Sequence, residues 1–424
     1  MREAPRPLLR RFRAGDRDRD RDRAADPCRT SAVEERWKGT LQTLRADTGA
    51  APVVVEAWDH RQAEAEELVD RLDRIGLPHR MEVLVESEFF RRLERGERDP
   101  LPFRRSERWR LRSSRAWFYF PGPADLPRYL ALPPWVRRKA FGGDARWWAE
   151  VAKVDVPSVR WLGGFLSRER ARLWGRPFSR WSSALEEAHR ESPRTMRARS
   201  MALRSKMSGP GRLWVQGEGA DGSDWFVASV PQPGRSLLNL ADLSLPRTDR
   251  PLVVDHPGGS LQIGLRPEGC GGTWGPVLPF ALWPPYEPWA LLEGTTWTLE
   301  RGRATVEGPG APDPRLRRVL GSQGGLASCA SLEIGLNPRW RTGSGFDRLA
   351  QGVATLHLSP GPRTRARGLR LGLPLRMRRC LWAPDLPGVP RPGPRASPPP
   401  YALDLAEEIF KPLRVPTEGN VDRA

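Results

Sequence analysis

Lysine, cysteine and long apolar runs are all scarce in this 424-residue chain. Five of its 70 basic residues are lysine, which leaves 65 arginines, and the formal net charge is +19. Such an excess raises nucleic acid or an anionic membrane as a partner. The arginines are spread along the chain, however, among abundant Ala, Gly and Pro, a bias that a GC-rich genome produces unaided. A basic footprint without a binding motif is only one of the signs a nucleic-acid role requires. The four cysteines, Cys28, Cys270, Cys329 and Cys380, stand far apart without a C-x-x-C. That excludes a zinc knuckle and argues against the disulfide framework of a secreted protein. No run approaches the ~18 apolar residues of a membrane span, and the basic N-terminus lacks the apolar stretch of a signal peptide. A cytoplasmic protein without a membrane partner is the expectation. No G-x-G-x-x-G follows the first strand, no G-x-S-x-G occurs, and no cysteine stands beside a histidine. Dinucleotide binding and serine or cysteine hydrolysis therefore have the least support.

What is present divides into segments. Hydrophobic residues make up 38% and prolines number 44, so appreciable parts are expected to be loop or tail. Residues 1–48, with the alternating DRDRDRDR of Asp16 to Arg23, have too little apolar surface to offset the entropy of ordering and are expected to be disordered. Pro52 to Trp58 (PVVVEAW) is a β-branched strand. Ala65, Leu68, Leu72 and Ile75 follow at helical spacing, and Gly76 and Pro78 close that helix. Met81 to Glu86 and Ala116 to Phe120 read as further strands. Strand, helix, strand with short joins is βαβ, so residues 49–210 are expected to be an α/β domain with a parallel sheet. From Leu126 to Met207 the reading is helical. Trp135, Trp147, Trp148, Trp161, Trp174 and Trp181 stand there among arginines, as core residues or as a base-stacking surface.

After Ser208 the texture turns to short strands between Gly, Asp and Pro, so residues 211–383 read as a β-rich second domain. Thr295 to Gly308 is a hairpin around Glu300-Arg301-Gly302-Arg303, with Gly302 suited to the left-handed turn position. Gly368 to Arg378 is the last strand of that domain. Residues 384–424 hold a proline-rich spacer and a short helix docking through Leu405, Ile409 and Phe410.

Five motifs in this half carry a resemblance: GSDWFVAS (Gly222 to Ser229), DHPGGSLQIGLRPEGCGGTW (Asp255 to Trp274), the hairpin, ASLEIGLNP ending at Pro338, and GFDRLAQGVATLHL ending at Leu358. In order and spacing they resemble the thermophilic metallo-aminopeptidases of the aminopeptidase T and aminopeptidase S kind (leucyl aminopeptidase-like). The resemblance covers about residues 210–380, and more loosely back to about residue 50. It implies a dimer and an α/β domain followed by a β-rich domain holding two divalent ions of the zinc, cobalt or magnesium type. Carboxylates and imidazole hold such a pair around one bridging water.

The positions implied to be ligands are substituted. Ser260 stands for the first glutamate, Ser331 for the second and Thr355 for the histidine. The late His-x-Asp pair falls around Arg367 to Gly372, where neither residue occurs. Glu333 and His357 each lie two residues beyond a ligand position, a shift that keeps the strand face. Asp255, His256 and Glu268 could complete a relocated set. By position, Glu218, Asp221 and Asp224 are candidates for recognising a substrate amino terminus. The leading expectation is a pseudoenzyme without a cofactor, binding a peptide or protein. The second is an active peptide hydrolase with relocated ligands, and the third a basic nucleic-acid binder. A packed His357 and a turn-bound Glu333 are the bland alternative.

Overall fold

The computed structural model describes residues 9–12, 40–41, 44–45, 50–97, 105–133, 136, 147, 150–151, 153–154, 156–173, 177–218, 225–243, 245–275, 281–283, 287–288, 296–301, 303–307, 327–340, 347–360, 370–388 and 397–410. Leu9–Phe12 is the one strand described within residues 1–48; most of that segment lies outside the described residues. The chain forms two units, one of residues 1–190 and 239–258, the other of 191–238 and 259–424.

The first unit is built on β2 (Val53–Trp58), β3 (His79–Leu84), β4 (Ala116–Phe120), β5 (Ser158–Trp161) and β9 (Val253–His256), all parallel, with β1 (Leu9–Phe12) antiparallel on the outside. The order is β1-β3-β2-β4-β5-β9, so the chain runs outward to β3, then reverses across β2 to β4. The run VVVEAW supplies a strand buried on both faces, as a parallel sheet demands. Val53, Val55 and Ala57 pack on the face that carries helix α1 (Gln62–Arg74), while Val54 and Trp58 point the other way. Leu68 and Leu72 are fully buried there, each contributing about 2 kcal/mol. Helix α1 ends as the sequence predicts, with Gly76 at φ +69°. On the opposite face lie α2 (Glu86–Glu94), α3 (Arg105–Arg112) and α4 (Leu126–Ala131), through Phe89, Phe90, Leu111, Leu126 and Tyr129.

Two expectations change. The stretch read as helical from Leu126 contains β5, followed by α5 (Arg168–Leu173) and α6 (Phe178–His189). Val253–His256, read with the β-rich half, is instead a strand of the first sheet. Trp161 and Trp181 are buried and Trp147 is partly buried, which is the core role; Trp135, Trp148 and Trp174 lie outside the described residues.

The second unit is a 13-stranded sheet. Its strands are β6 (Gly211–Gly217), β7 (Phe226–Val230), β8 (Leu237–Asn239), β10 (Ser260–Gly264), β11 (Gly271–Trp274), β12 (Ala281–Trp283), β13 (Glu287–Pro288), β14 (Thr296–Glu300), β15 (Arg303–Glu307), β16 (Ala327–Gly335), β17 (Val353–Pro360), β18 (Arg370–Pro384) and β19 (Leu403–Asp404). Among the described residues, pairing runs β6-β7-β11-β14-β15-β16-β17-β18 and returns from β18 to β6, so the sheet closes on itself. Trp214, Trp274, Trp297 and Trp382 are buried in this unit. The predicted hairpin is β14–β15, where Arg301 takes φ +48°; Gly302 lies outside the described residues. Leu405 and Ile409 are buried beside the short helix Ala406–Phe410, as expected. Among the described residues no helix is long and apolar enough to cross a membrane.

Candidate functional site

Strands β10, β16, β17 and β18 lie side by side, and their register sorts the side chains onto two faces. Leu261, Ile263, Leu332, Ile334, Ala354, Leu356 and Leu373 take one face and are buried and apolar. The alternate residues take the other. Gln262 stands opposite Glu333 and Glu333 opposite Thr355; Ser331 stands opposite His357 and His357 opposite Gly372; Ser260 stands opposite Gly335. Ser260, Ser331 and Thr355, the three substituted ligand positions, thus share one face of three neighbouring strands with Glu333 and His357. A two-residue shift along a strand keeps the face, as the sequence predicts.

Glu333 is the hub. Its Oε1 accepts a short hydrogen bond from Ser260 Oγ, and its Oε2 lies 2.8 Å from His357 Nε2. A carboxylate can only accept, so His357 Nε2 carries the proton. Arg348, on the 3₁₀ turn Asp347–Leu349, brings its guanidinium to 3.8 Å from Oε1. Burial by itself pushes this carboxyl up, but Arg348, His357 and Ser260 outweigh burial and hold it down to about 2. Gln262 Nε2 donates to Ser331 Oγ at 3.1 Å. Thr355 is buried, and among the described residues its hydroxyl has no hydrogen-bond partner.

This arrangement does not fit the two ions that the resemblance implies. Among the described residues this face offers one carboxylate and one imidazole, too few for two ions, and the Arg348 guanidinium opposes a divalent ion at that carboxylate. Ser260 spends its proton on Glu333, and Ser331 accepts from an amide. Nor is it a nucleophilic triad. Ser260 donates to Glu333 rather than to His357, so the imidazole does not face its hydroxyl as a triad base would.

The remaining candidates are engaged elsewhere. In the first unit, Asp255 pairs with Arg160 (Oδ1 to Nε 2.7 Å), and its Oδ2 accepts from Asn239 Nδ2 at 2.9 Å. His256 Nδ1 lies 3.1 Å from His189 Nδ1, beside the Trp161 ring. Glu268 is exposed on the 3₁₀ turn Pro267–Gly269, and Glu218 is exposed after β6. Asp221 and Asp224 lie outside the described residues, as do residues 367–369 at the place of the late pair. Among the described residues, no three of the predicted ligands form a metal-sized group; one such group exists, Asp59, His60 and Glu86 of the first unit. Sequence reasoning missed that group, although Asp59-His60 directly follows the clearest strand in the chain. It also missed Arg348 and Gln262, which no motif marks.

The comparisons agree with the fold and go no further. No protein-family model and no curated protein matches the chain. Among solved structures the fold is similar to that of wild-type AmpT from Thermus thermophilus, an aminopeptidase, with a TM-score of 0.57 and 13% identity over 84% of this chain and 96% of that one. The chain has an aminopeptidase-like, mixed α/β fold: a parallel five-stranded sheet and a large antiparallel one.

Proposed function

We propose that the chain is a catalytically degenerate relative of the metallo-aminopeptidases, acting by binding a peptide or protein rather than by hydrolysis. The observation that carries this reading is the saturation of Glu333. A buried carboxylate on the same strand face as the substituted ligand positions faces the Arg348 guanidinium and is hydrogen-bonded by His357 and Ser260. Positive charge that a divalent ion would supply in a hydrolase comes here from the Arg348 guanidinium. That arrangement supports binding rather than amide cleavage, which calls for a metal-activated water or a serine facing an imidazole base. The homodimer implied by the resemblance belongs to the same proposal, and sedimentation of the purified chain tests it.

The test of function is hydrolysis of aminoacyl anilides and short peptides by the full-length chain, with zinc, cobalt or magnesium added. No turnover above background is expected. Metal-dependent turnover that disappears in Glu333→Gln and His357→Gln would establish the relocated-ligand hydrolase instead.

A further inference from the structure

At the carboxyl end of the first unit's parallel sheet, three loops converge where the strand order reverses. Asp59 and His60 follow β2, Glu86 follows β3, and Pro121 to Pro123 follow β4. Open α/β sheets take ligands in this crevice, because the loops from the two directions part there. We propose that Asp59, His60 and Glu86 form a binding site for one divalent cation of the zinc or manganese class.

The geometry of His60 carries the inference. Its Nε2 lies 3.2 Å from the Gly164 carbonyl oxygen, which can only accept, so Nε2 holds the ring proton. Nδ1 is then a bare lone pair. It is buried, makes no hydrogen bond, and faces Glu86 Oε2 at 3.5 Å. A cation placed between two acceptors so aimed would satisfy both in this partly desolvated pocket.

The dimensions suit an ion. Ligand atoms of all three side chains lie within 4.8 Å of one another. Tetrahedral ligands at about 2.1 Å from a zinc ion are separated by about 3.4 Å, close to the Nδ1–Oε2 spacing. Two carboxylates and a neutral imidazole match a divalent charge and leave one position open.

Each ligand is also held by an outer partner, as metal ligands are. Glu86 Oε2 accepts from Ala124 N (2.8 Å) and Oε1 from Asp125 N (2.9 Å). Asp59 Oδ2 accepts from Glu86 N at 3.1 Å, and His60 is held by Gly164. The His60 and Glu86 side chains keep 18% and 15% exposure, enough for an ion to enter.

The experiment uses the untagged full-length chain, stripped with chelator and dialysed against zinc or manganese, with metal read by mass spectrometry and cobalt substitution read by visible absorption. About one ion per chain is expected. His60→Gln should abolish binding, and Asp59→Asn, which keeps an amide oxygen for Glu86 N, should weaken it by roughly tenfold or more. Glu333→Gln in the second unit should leave it unchanged, and circular dichroism confirms that each variant is folded. Absence of bound metal in the wild-type chain, or binding that survives both first-unit substitutions, overturns the proposal.

Discussion

Glu333 and His357 meet on the diagonal of two paired strands. The residue directly opposite His357 is Ser331, and the one opposite Glu333 is Thr355, yet the 2.8 Å contact joins Glu333 Oε2 to His357 Nε2. Long side chains reach diagonally in antiparallel pairs, and here the reach leaves Thr355 without a hydrogen-bond partner among the described residues. The polar face is therefore a closed charge cluster with one hydroxyl left over.

Glu333→Gln removes the carboxylate and leaves Arg348 and His357 facing a neutral amide. A loss of about 3 kcal/mol is expected at neutral pH, the cost of breaking a buried ion pair from one side. The folded-state pKa is depressed from 4.5 to about 2. The stabilisation is therefore complete above about pH 4.5 and is lost as pH falls toward 2. Urea unfolding should show wild type and variant converging across that window and well separated at pH 7.

Thr355→Val deletes the buried hydroxyl and keeps the side-chain shape. Removing an unsatisfied polar group should leave stability unchanged or raise it by about 1 kcal/mol. Thermal unfolding checks this, and a clear loss would mean that the hydroxyl has a partner in the native protein.

Gly335→Ala tests why the glycine of the Glu-Ile-Gly-Leu-Asn-Pro turn is needed. A Cβ there would lie 2.0 Å from the Ala350 carbonyl oxygen, backbone that cannot swing aside. Asn337 ties the same two segments together, donating its N–H to Leu349 O at 3.0 Å and accepting from Gln351 N at 3.0 Å. A loss of roughly 2–3 kcal/mol is expected in denaturant titration.

Asp255→Asn should cost about 3 kcal/mol by breaking the buried Asp255–Arg160 ion pair of the first sheet. The metal content of the chain should not change. A change in bound metal would restore Asp255 to a ligand set.

Much of this architecture is legible in the sequence, and what is not has identifiable causes. Helix α1 and strands β2 and β4 announce themselves through apolar period and β-branching. Strand β5 does not, because it is only four residues long and carries Arg160. Val253–His256 likewise carries Asp255. The two charges look solvent-facing in their own segments, but β5 and β9 are direct neighbours with Arg160 opposite Asp255 in register, so each neutralises the other. At the site, Ser260, Ser331 and Thr355 could be placed because the motifs fix strand positions, and strand period then put Glu333 and His357 on their face. Arg348 comes from a 3₁₀ turn without periodicity, so its role in neutralising Glu333 becomes visible only in three dimensions. The Asp59, His60 and Glu86 group needed the sheet order, since its members follow two different strands.

In the proposed reading, the polar face of the second unit holds its charge without metal. The most direct test of that reading is the zinc, cobalt and manganese content of the folded His60→Gln chain, in which the first-unit site is removed. Essentially no bound ion is predicted. About two ions per chain, lost when Glu333→Gln is added, would contradict the account and leave a relocated dinuclear centre in its place.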